Sequence, residues 1–460
     1  MNKAKYLTLT LASIILTGSL AAGGADNTSG TIAANEYTGE AATDIAAAAG
    51  AGTEKQPQTG PQPKVELTFW TLGGTNYEDL AGAYTKEHPD VTIKVLKADD
   101  GNALHQKLSA AFAAGTGVPD IYQLEAGLVD QYLAEQDQFY NLNELGAGDI
   151  EADYLKWTWR QASSADGSFQ LGLPADIGPT VVFYRKDLAE AAGLPGDPEG
   201  FSAAIDTWTK FAAAAKAVKE KTGKSFSGLA DLTYNALRDQ SVDEIYYSRA
   251  DGSFFGDTNP YVQRAYDYTA KGIQEGWISY ADIRSPEWEQ GLRSGEFAAV
   301  AGPAWLAGTL KQSVPASVGE WRIAQLAEGA GNWGGSYMTL PKAGKHPEAA
   351  YAFIAWLVNK ENQQESFAAQ GLIPSIPSLY SDPAFAALRD DFFGGQQTGA
   401  EFGKAASRVK PVYYGPLHEE TDALFKHALG NVLVKGANPA QEWRSAVKQA
   451  RKLAAAGENR

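Results

Sequence analysis

The sequence predicts an α/β fold built on a parallel, doubly wound sheet, and three observations carry that expectation. From Val65 onward, alternating segments and helically spaced segments take turns, so each strand is followed by a helix that returns the chain. Glycine and proline mark the changes of element. The chain has 460 residues, 44% hydrophobic and 11% aromatic, which is enough apolar material for the cores of two or three domains.

The elements follow in order. Val65-Glu-Leu-Thr-Phe-Trp70 alternates as a strand, Gly73-Gly74-Thr75-Asn76 breaks it, and Tyr77 to Tyr84 has helical spacing. Val91 to Leu96 is a second strand, Asp99 to Asn102 turns, and Leu104, Leu108, Ala111 and Phe112 share one helical face. Gly115-Thr-Gly117 stops that helix, and Pro119 to Leu124 gives a third strand before Glu125. This βαβαβ order implies parallel pairing. Ligands of such sheets sit beyond the carboxyl ends of the strands, here the loops Thr71 to Asn76 and Leu124 to Gly127.

Composition excludes several function classes. A net charge of −16 has the wrong sign for tracking nucleic acid or anionic lipid over a broad surface. Cysteine is absent, which removes disulfides, thiolate metal sites and cysteine nucleophiles. At the N-terminus, Lys3 and Lys5 precede the mostly apolar stretch Tyr6 to Leu16, with small residues at Gly18, Ser19, Ala21 and Ala22, so residues 1–22 read as an export signal. Leu20-Ala21-Ala22-Gly23 resembles a bacterial lipobox with Gly23 in place of the acylated cysteine. Two readings stay open: cleavage and release, or a cell-surface lipoprotein lineage whose anchor is missing, the second being favoured. Residues 23–64, rich in Gly, Ala, Thr, Ser, Gln and Pro, read as a disordered tether, with a processing remnant as the alternative.

Six segments in sequence order carry a resemblance. FWTLGGTNYEDLAGAYTKEHPDVTIKV, AAGTGVPDIYQLEAGLVDQYL and LPADIGPTVVFYRKDLAEAAGLP are followed by SGEFAAVAGPAWLAGTLKQ, by NWGGSYMTLPKAGKHPEAAYAFIAWLVNKENQQESFAAQGLIPS and by ANPAQEWRSAVKQARKLA. Together they span about residues 65–455 and resemble the extracellular solute-binding proteins of carbohydrate ABC importers, the maltose-binding-like family. The resemblance implies a two-lobed, periplasmic-binding-protein-like α/β fold with a cleft and three inter-lobe crossings, near Ala175–Pro179, Gly335–Met338 and Gly371–Ser375. One lobe would hold 65–174 and 338–372, and the other 178–334 and 376–455. It further implies a non-catalytic receptor, a monomer without cofactor, that delivers an oligosaccharide to membrane permease subunits.

A pyranose offers an apolar face and a rim of hydroxyls, so its site needs aromatic platforms with carboxylate and amide partners. Trp305 follows the strand Phe297–Ala301 at the opening of a helix and reads as a stacking platform, with packing beneath the cleft as the alternative. Trp333, within Gly-Asn-Trp-Gly-Gly, has both readings open, whereas Trp70 reads as core. Glu125 and Asp176 each end or interrupt an apolar segment at a cleft position, as ligand contacts or as structural caps or lobe-closing contacts. Gly74, Thr75 and Asn76 present backbone amides at a helix start, Asn76 alternatively being an N-cap. Ser336 and Tyr414, of the pair Tyr413-Tyr414, match family segments that line the cleft.

Other signatures fail on spacing. Val218 to Ser225 lacks the first glycine of a phosphate loop and reads as a helix end. His418-Glu-Glu-Thr-Asp422 lacks the second histidine of a zinc protease and reads as a solvated helix start. Asp251 to Asp257 lacks the ligand spacing of a calcium loop and reads as a hairpin tip, so no metal site is assigned. Paired carboxylates and aromatic platforms also describe a glycosidase, which makes a secreted carbohydrate-active enzyme the runner-up. A binder of peptides or small acids would require cations at the cleft, and the candidate positions contain none, although Arg160, Arg185 or Arg238 could supply them.

Overall fold

The computed structural model describes residues 64–457 except 100, 241–242, 280–282, 284 and 411. The expected export signal and all of the tether but Lys64 lie outside the described residues. The chain opens with β1 (Val65–Leu72), α1 (Tyr77–Glu87), β2 (Val91–Ala98), α2 (Gly101–Ala114) and β3 (Ile121–Glu125), and β1 pairs in parallel with both β2 and β3. The expected βαβαβ unit is present. Its sheet is covered on both faces, as parallel sheets require. Leu67 and Phe69 pack with Tyr77, Leu80 and Tyr84 of α1, whereas Trp70 faces the other way, against Leu104 and Leu108 of α2. Trp70 is therefore core, with the Lys107 ammonium 4.2 Å from its ring centre.

Next come α3 (Val129–Ala134), α4 (Lys156–Gln161) and β4 (Gly172–Arg185), then α5 (Lys186–Ala191), α6 (Pro198–Ala204), α7 (Trp208–Thr222), β5 (Ser225–Ser227) and α8 (Ala230–Arg238). They are followed by β6 (Asp243–Glu244), α9 (Pro260–Gln274), α10 (Pro286–Arg293), β7 (Phe297–Pro303), α11 (Leu306–Ser313), β8 (Trp321–Gln325) and β9 (Asn332–Thr339). The remainder is helical: α12 (Pro347–Leu357), α13 (Lys360–Gln370), the short β10 (Ile373–Pro374), α14 (Pro383–Ala386), α15 (Thr398–Ala406), α16 (His418–Lys435) and α17 (Pro439–Gly457). The strands run in the order β2-β1-β3-β9-β4-β7-β5, with β8 and β10 also paired to β4.

β4 joins the two halves of this sheet. Its first part, Gly172 to Pro179, pairs antiparallel with β9, and its second part, Thr180 to Arg185, pairs with β7 and β8. Every residue of β4 except Arg185 is buried, in keeping with a mostly apolar sequence that only Asp176 and Thr180 interrupt. The three segments expected to cross between lobes lie side by side: Asp176 is opposite Ser336 of β9 and Pro374 of β10, and Ile177 is opposite Gly335 and Ile373. The β4–β9 register shifts on either side of this point. Beyond it, a separate core joins Val182, Tyr184, Phe226, Tyr234, Tyr246 and Phe425.

Three smaller expectations meet the structure here. Val218 to Gly223 is the end of α7, closed by Gly223 at φ +72° with its N–H donating to the Lys219 carbonyl. Asp251 caps a turn by accepting from the Ser253 N–H at 3.0 Å, between bridged Tyr247 and Phe254, so that segment is a hairpin tip. The third needs correction in part: His418 does begin a helix with Glu419 and Glu420 exposed, but His418 is 4% exposed and Asp422 3%, so two of its polar groups are buried. Asp422 is drawn inward by Arg238 of α8, which also pairs with Asp239 at 2.8 Å. The burial of Asp422 cannot be read from the local pattern, because its arginine partner is 184 residues away.

Candidate functional site

The site is built where the loop after β1, the end of β3 and the β4–β9 junction meet. After β1, Gly74 takes a left-handed φ of +70°, which a side chain would strain, and turns the chain into α1. Gly74 is exposed, whereas Thr75 and Asn76 are buried. Thr75 donates from its hydroxyl to the Leu72 carbonyl at 3.1 Å, and its own carbonyl accepts from the Lys97 ammonium at 3.3 Å. Asn76 is the N-cap of α1 by position, yet its side chain does not cap. Its Oδ1 accepts from the Ser366 hydroxyl at 2.8 Å, and its Nδ2 is buried with no hydrogen-bond partner among the described residues.

A chain of polar groups runs across four neighbouring strands. Gln123 of β3 accepts from the Thr71 hydroxyl and the Leu72 N–H, then donates through Nε2 to the Ser336 hydroxyl at 2.8 Å. Ser336 in turn donates to Asp176. Burial raises the Asp176 carboxyl to about 6, the Ser336 hydrogen bond offsetting part of that shift. Tyr77 shares the cluster, its phenol pushed well up by burial and by the Asp176 charge. Glu125 closes β3 opposite Ser336, half-buried, with its carboxylate so near Gly101 that any side chain there would collide with it.

The aromatic wall stands beside this chain. Trp305 precedes α11 and is half-buried, its ring 5.4 Å from that of Trp333 and inclined at 51°. Its indole N–H donates to the Trp333 carbonyl at 3.3 Å. Gly334, at φ +98°, leaves the space that the Trp305 indole edge fills. Tyr414 is buried and donates from its hydroxyl to the Asn332 carbonyl at 2.8 Å, one residue before Trp333. Its neighbour Tyr413 is half-buried beneath the Arg249 guanidinium, 4.6 Å from the ring centre.

Of the nine candidates, Glu125, Asp176 and Ser336 are adjacent by strand register, and Trp305, Trp333 and Tyr414 gather at the start of β9. Asn76 and Thr75 reach the cluster through Tyr77 and β1, while Gly74 shapes the loop from outside. Sequence reasoning missed Gln123, the hub of the polar chain, although its placement inside an otherwise apolar strand was a usable signal. It also missed Asn332, which accepts from the Gly178 N–H at 2.8 Å and donates to the Gly334 carbonyl at 3.0 Å, fixing the approach of β9 to β4.

None of the nine candidate positions is a cation, but two lysines stand beside them. Lys97 touches the carbonyl of Thr75, and the Lys426 ammonium lies 5.4 Å from the Trp333 ring centre. Of the three arginines singled out, Arg185 pairs with Asp187 and Glu320 and Arg238 is consumed by Asp239 and Asp422. Arg160 instead lines a polar cavity of about 290 Å³ with Trp159, Asp166 and Arg249, which none of the nine candidates borders. Among the described residues no group of three or more His, Asp or Glu is arranged to hold a metal ion, and no helix is long and apolar enough to cross a membrane.

Known proteins share this architecture and sequence. The chain is 28% identical over 383 residues to a lactose-binding protein of Rhizobium radiobacter, covering 78% of this chain and 86% of that protein. It is 26% identical over 329 residues to an arabinooligosaccharide-binding protein of Bacillus subtilis, covering 68% and 73%. A crystal structure of an extracellular solute-binding protein of family 1 superposes with a TM-score of 0.78 at 31% identity, over 85% of this chain and 100% of that one. The fold is thus the two-lobed one of periplasmic binding proteins. Residues 79–390 match the family described as bacterial extracellular solute-binding protein, and the chain belongs to that family.

Proposed function

We propose that this protein is an exported receptor that captures a neutral di- or oligosaccharide between its lobes and delivers it to the permease of an ABC importer. The observation that carries the reading is the meeting of a paired-indole wall, Trp305 and Trp333, with the polar chain Gln123–Ser336–Asp176 where the crossing strands lie side by side. An indole face suits the C–H face of a pyranose, and carboxylate, amide and hydroxyl groups suit its hydroxyl rim. The printed functions of the relatives, lactose and arabinooligosaccharide binding, support the same ligand class. In this reading Gly74, Thr75, Asn76, Glu125, Asp176, Trp305, Trp333, Ser336 and Tyr414 contact the sugar, and no bond is made or broken.

The lobes comprise 65–174 with 338–372 and 178–334 with 376–455, and one chain supplies both walls, so a single copy suffices. Residues 1–22 direct export, and 23–64 form a spacer between the processed N-terminus and the folded body. Sugar shifts the lobes toward the closed form because its contacts are complete only there. Calorimetry of the mature chain against neutral and acidic oligosaccharides, with product analysis of each mixture, tests the proposal. Tight binding of a neutral sugar recovered intact is the expected result; cleavage products would make the protein a carbohydrate-active enzyme and recast Glu125 and Asp176 as its acid and base.

A further inference from the structure

The two cores meet along a seam on the far side of Tyr414 from the indole pair. Asp130 lies on α3, whose Val129 and Tyr132 pack with Tyr122 and Leu124 of β3. Tyr414 belongs to the other core, with Tyr246 and Phe425. Between them, the Asp130 carboxylate accepts two backbone hydrogen bonds through one oxygen, from the Tyr414 N–H at 3.1 Å and the Gly415 N–H at 2.9 Å. Burial pushes this carboxyl up, while the two N–H groups and the Arg249 charge stabilise its ionised form. Gly415 must be glycine here: its φ is +85°, and a side chain would meet the Tyr247 Cβ at 2.9 Å and its ring at 3.0 Å. Close by, Gly127 lies against the Glu419 carboxylate of α16, which a side chain at 127 would push aside. These contacts join separate cores and exist only while the cores are together.

We propose that Asp130 is the closure latch of this receptor, a positioning residue that bonds the Tyr414–Gly415 backbone of the opposite lobe when the cleft shuts and thereby holds Tyr414 in the ligand wall. The proposal rests on the receptor reading for its sugar-dependent half. Because the hydrogen-bond partners are backbone amides, the latch depends on the carboxylate and on the left-handed turn at Gly415, with the Arg249 charge across the seam supporting the ionised form. A bond made after closure acts on the exit of ligand and leaves its entry alone.

Stopped-flow fluorescence with a sugar that binds the wild type reads both rates. Asp130→Ala is expected to speed dissociation about tenfold while changing association by less than about twofold, with Asp130→Asn, which keeps an acceptor oxygen, in between. Unchanged dissociation, or equal losses in both rates, overturns the proposal. A second measurement needs no sugar. The chain has no cysteine, so the surface pair Asp137→Cys and Lys435→Cys carries a donor and an acceptor dye cleanly. If no sugar in the panel binds the wild type, the receptor reading fails on its own, and the latch is judged on the sugar-free distances. Asp130→Ala must then shift them to longer values, and an identical distribution sinks it.

Discussion

Asp176 and Trp305 state the two halves of the site as single residues. The Asp176 carboxyl, raised from 3.8 to about 6, binds its proton more tightly folded than unfolded. Its contribution to stability is therefore full below the unfolded value and is lost as pH rises through about 6. Asp176→Asn is expected to flatten the pH dependence of the melting temperature between about pH 4 and pH 6 and to stabilise the sugar-free protein at pH 7 by on the order of 2 kcal/mol. A thermal melt series across that range checks it, and an unaltered slope would refute the assignment. Trp305 is half-buried, its ring 5.4 Å from that of Trp333. Trp305→Ala should cost about 2 kcal/mol or more of sugar binding by calorimetry; unchanged affinity would return Trp305 to a packing role.

Paired elements govern the next scale. β4 and β9 approach so closely at their junction that a side chain at Gly178 would collide with the Trp333 carbonyl, and Gly335 combines a φ of +92° with a similar approach to the Asp176 carbonyl. Gly178→Ala is expected to displace Trp333 and to weaken sugar binding and stability together, measured by calorimetry and urea unfolding on one preparation. α8 and α16 are joined by Arg238 with Asp422, where Tyr246 adds a hydrogen bond at 2.8 Å and Lys426 an ion pair at 2.6 Å. Burial alone would raise the Asp422 carboxyl, but Arg238 and Lys426 hold it far below the usual range. A depressed folded value means stability present at neutral pH and lost as pH falls below about 4. Removing one partner strands the others, so Arg238→Met should cost about 3–5 kcal/mol in urea unfolding at pH 7. A loss under about 1 kcal/mol would show that the network is replaceable.

At the scale of the molecule, function is a balance between two arrangements of the lobes. The clusters around Tyr122 and Tyr246 lie on either side of a joint made of three neighbouring strand segments, and a third cluster, with Phe69, Phe183 and Trp321, spans it. A sugar that binds the folded chain alone must stabilise it by mass action, about 2.7 kcal/mol at a concentration one hundred times its Kd. The melting temperature is therefore expected to rise with the logarithm of sugar concentration, and the radius of gyration from X-ray scattering to fall on saturation. A sugar that raises the melting temperature without compaction would bind without closing the cleft.

Much of this was legible in the chain itself because the governing interactions are local. Alternation at Val65–Trp70 and helical spacing at Tyr77–Tyr84 report which faces are buried, and buried faces determine the βαβαβ order. Trp305 could be placed because a strand followed by a Gly-Pro turn and a helix puts it at a strand's carboxyl end. Gln123 left a signal inside its apolar strand, but its partner Ser336, 213 residues on, was not legible, nor were Asp130 across the seam and His418 and Asp422 as buried groups, with partners 284 and 184 residues away. Likewise Asn76 looks like a helix cap from its position, yet Ser366, 290 residues on, claims its carbonyl oxygen. The sequence by itself determined the strand-helix order, the apolar faces and the aromatic and acidic residues available to a ligand. Only the tertiary structure decided which polar groups face one another, because the burial that makes a hydrogen bond or ion pair consequential is created by the whole chain closing around it.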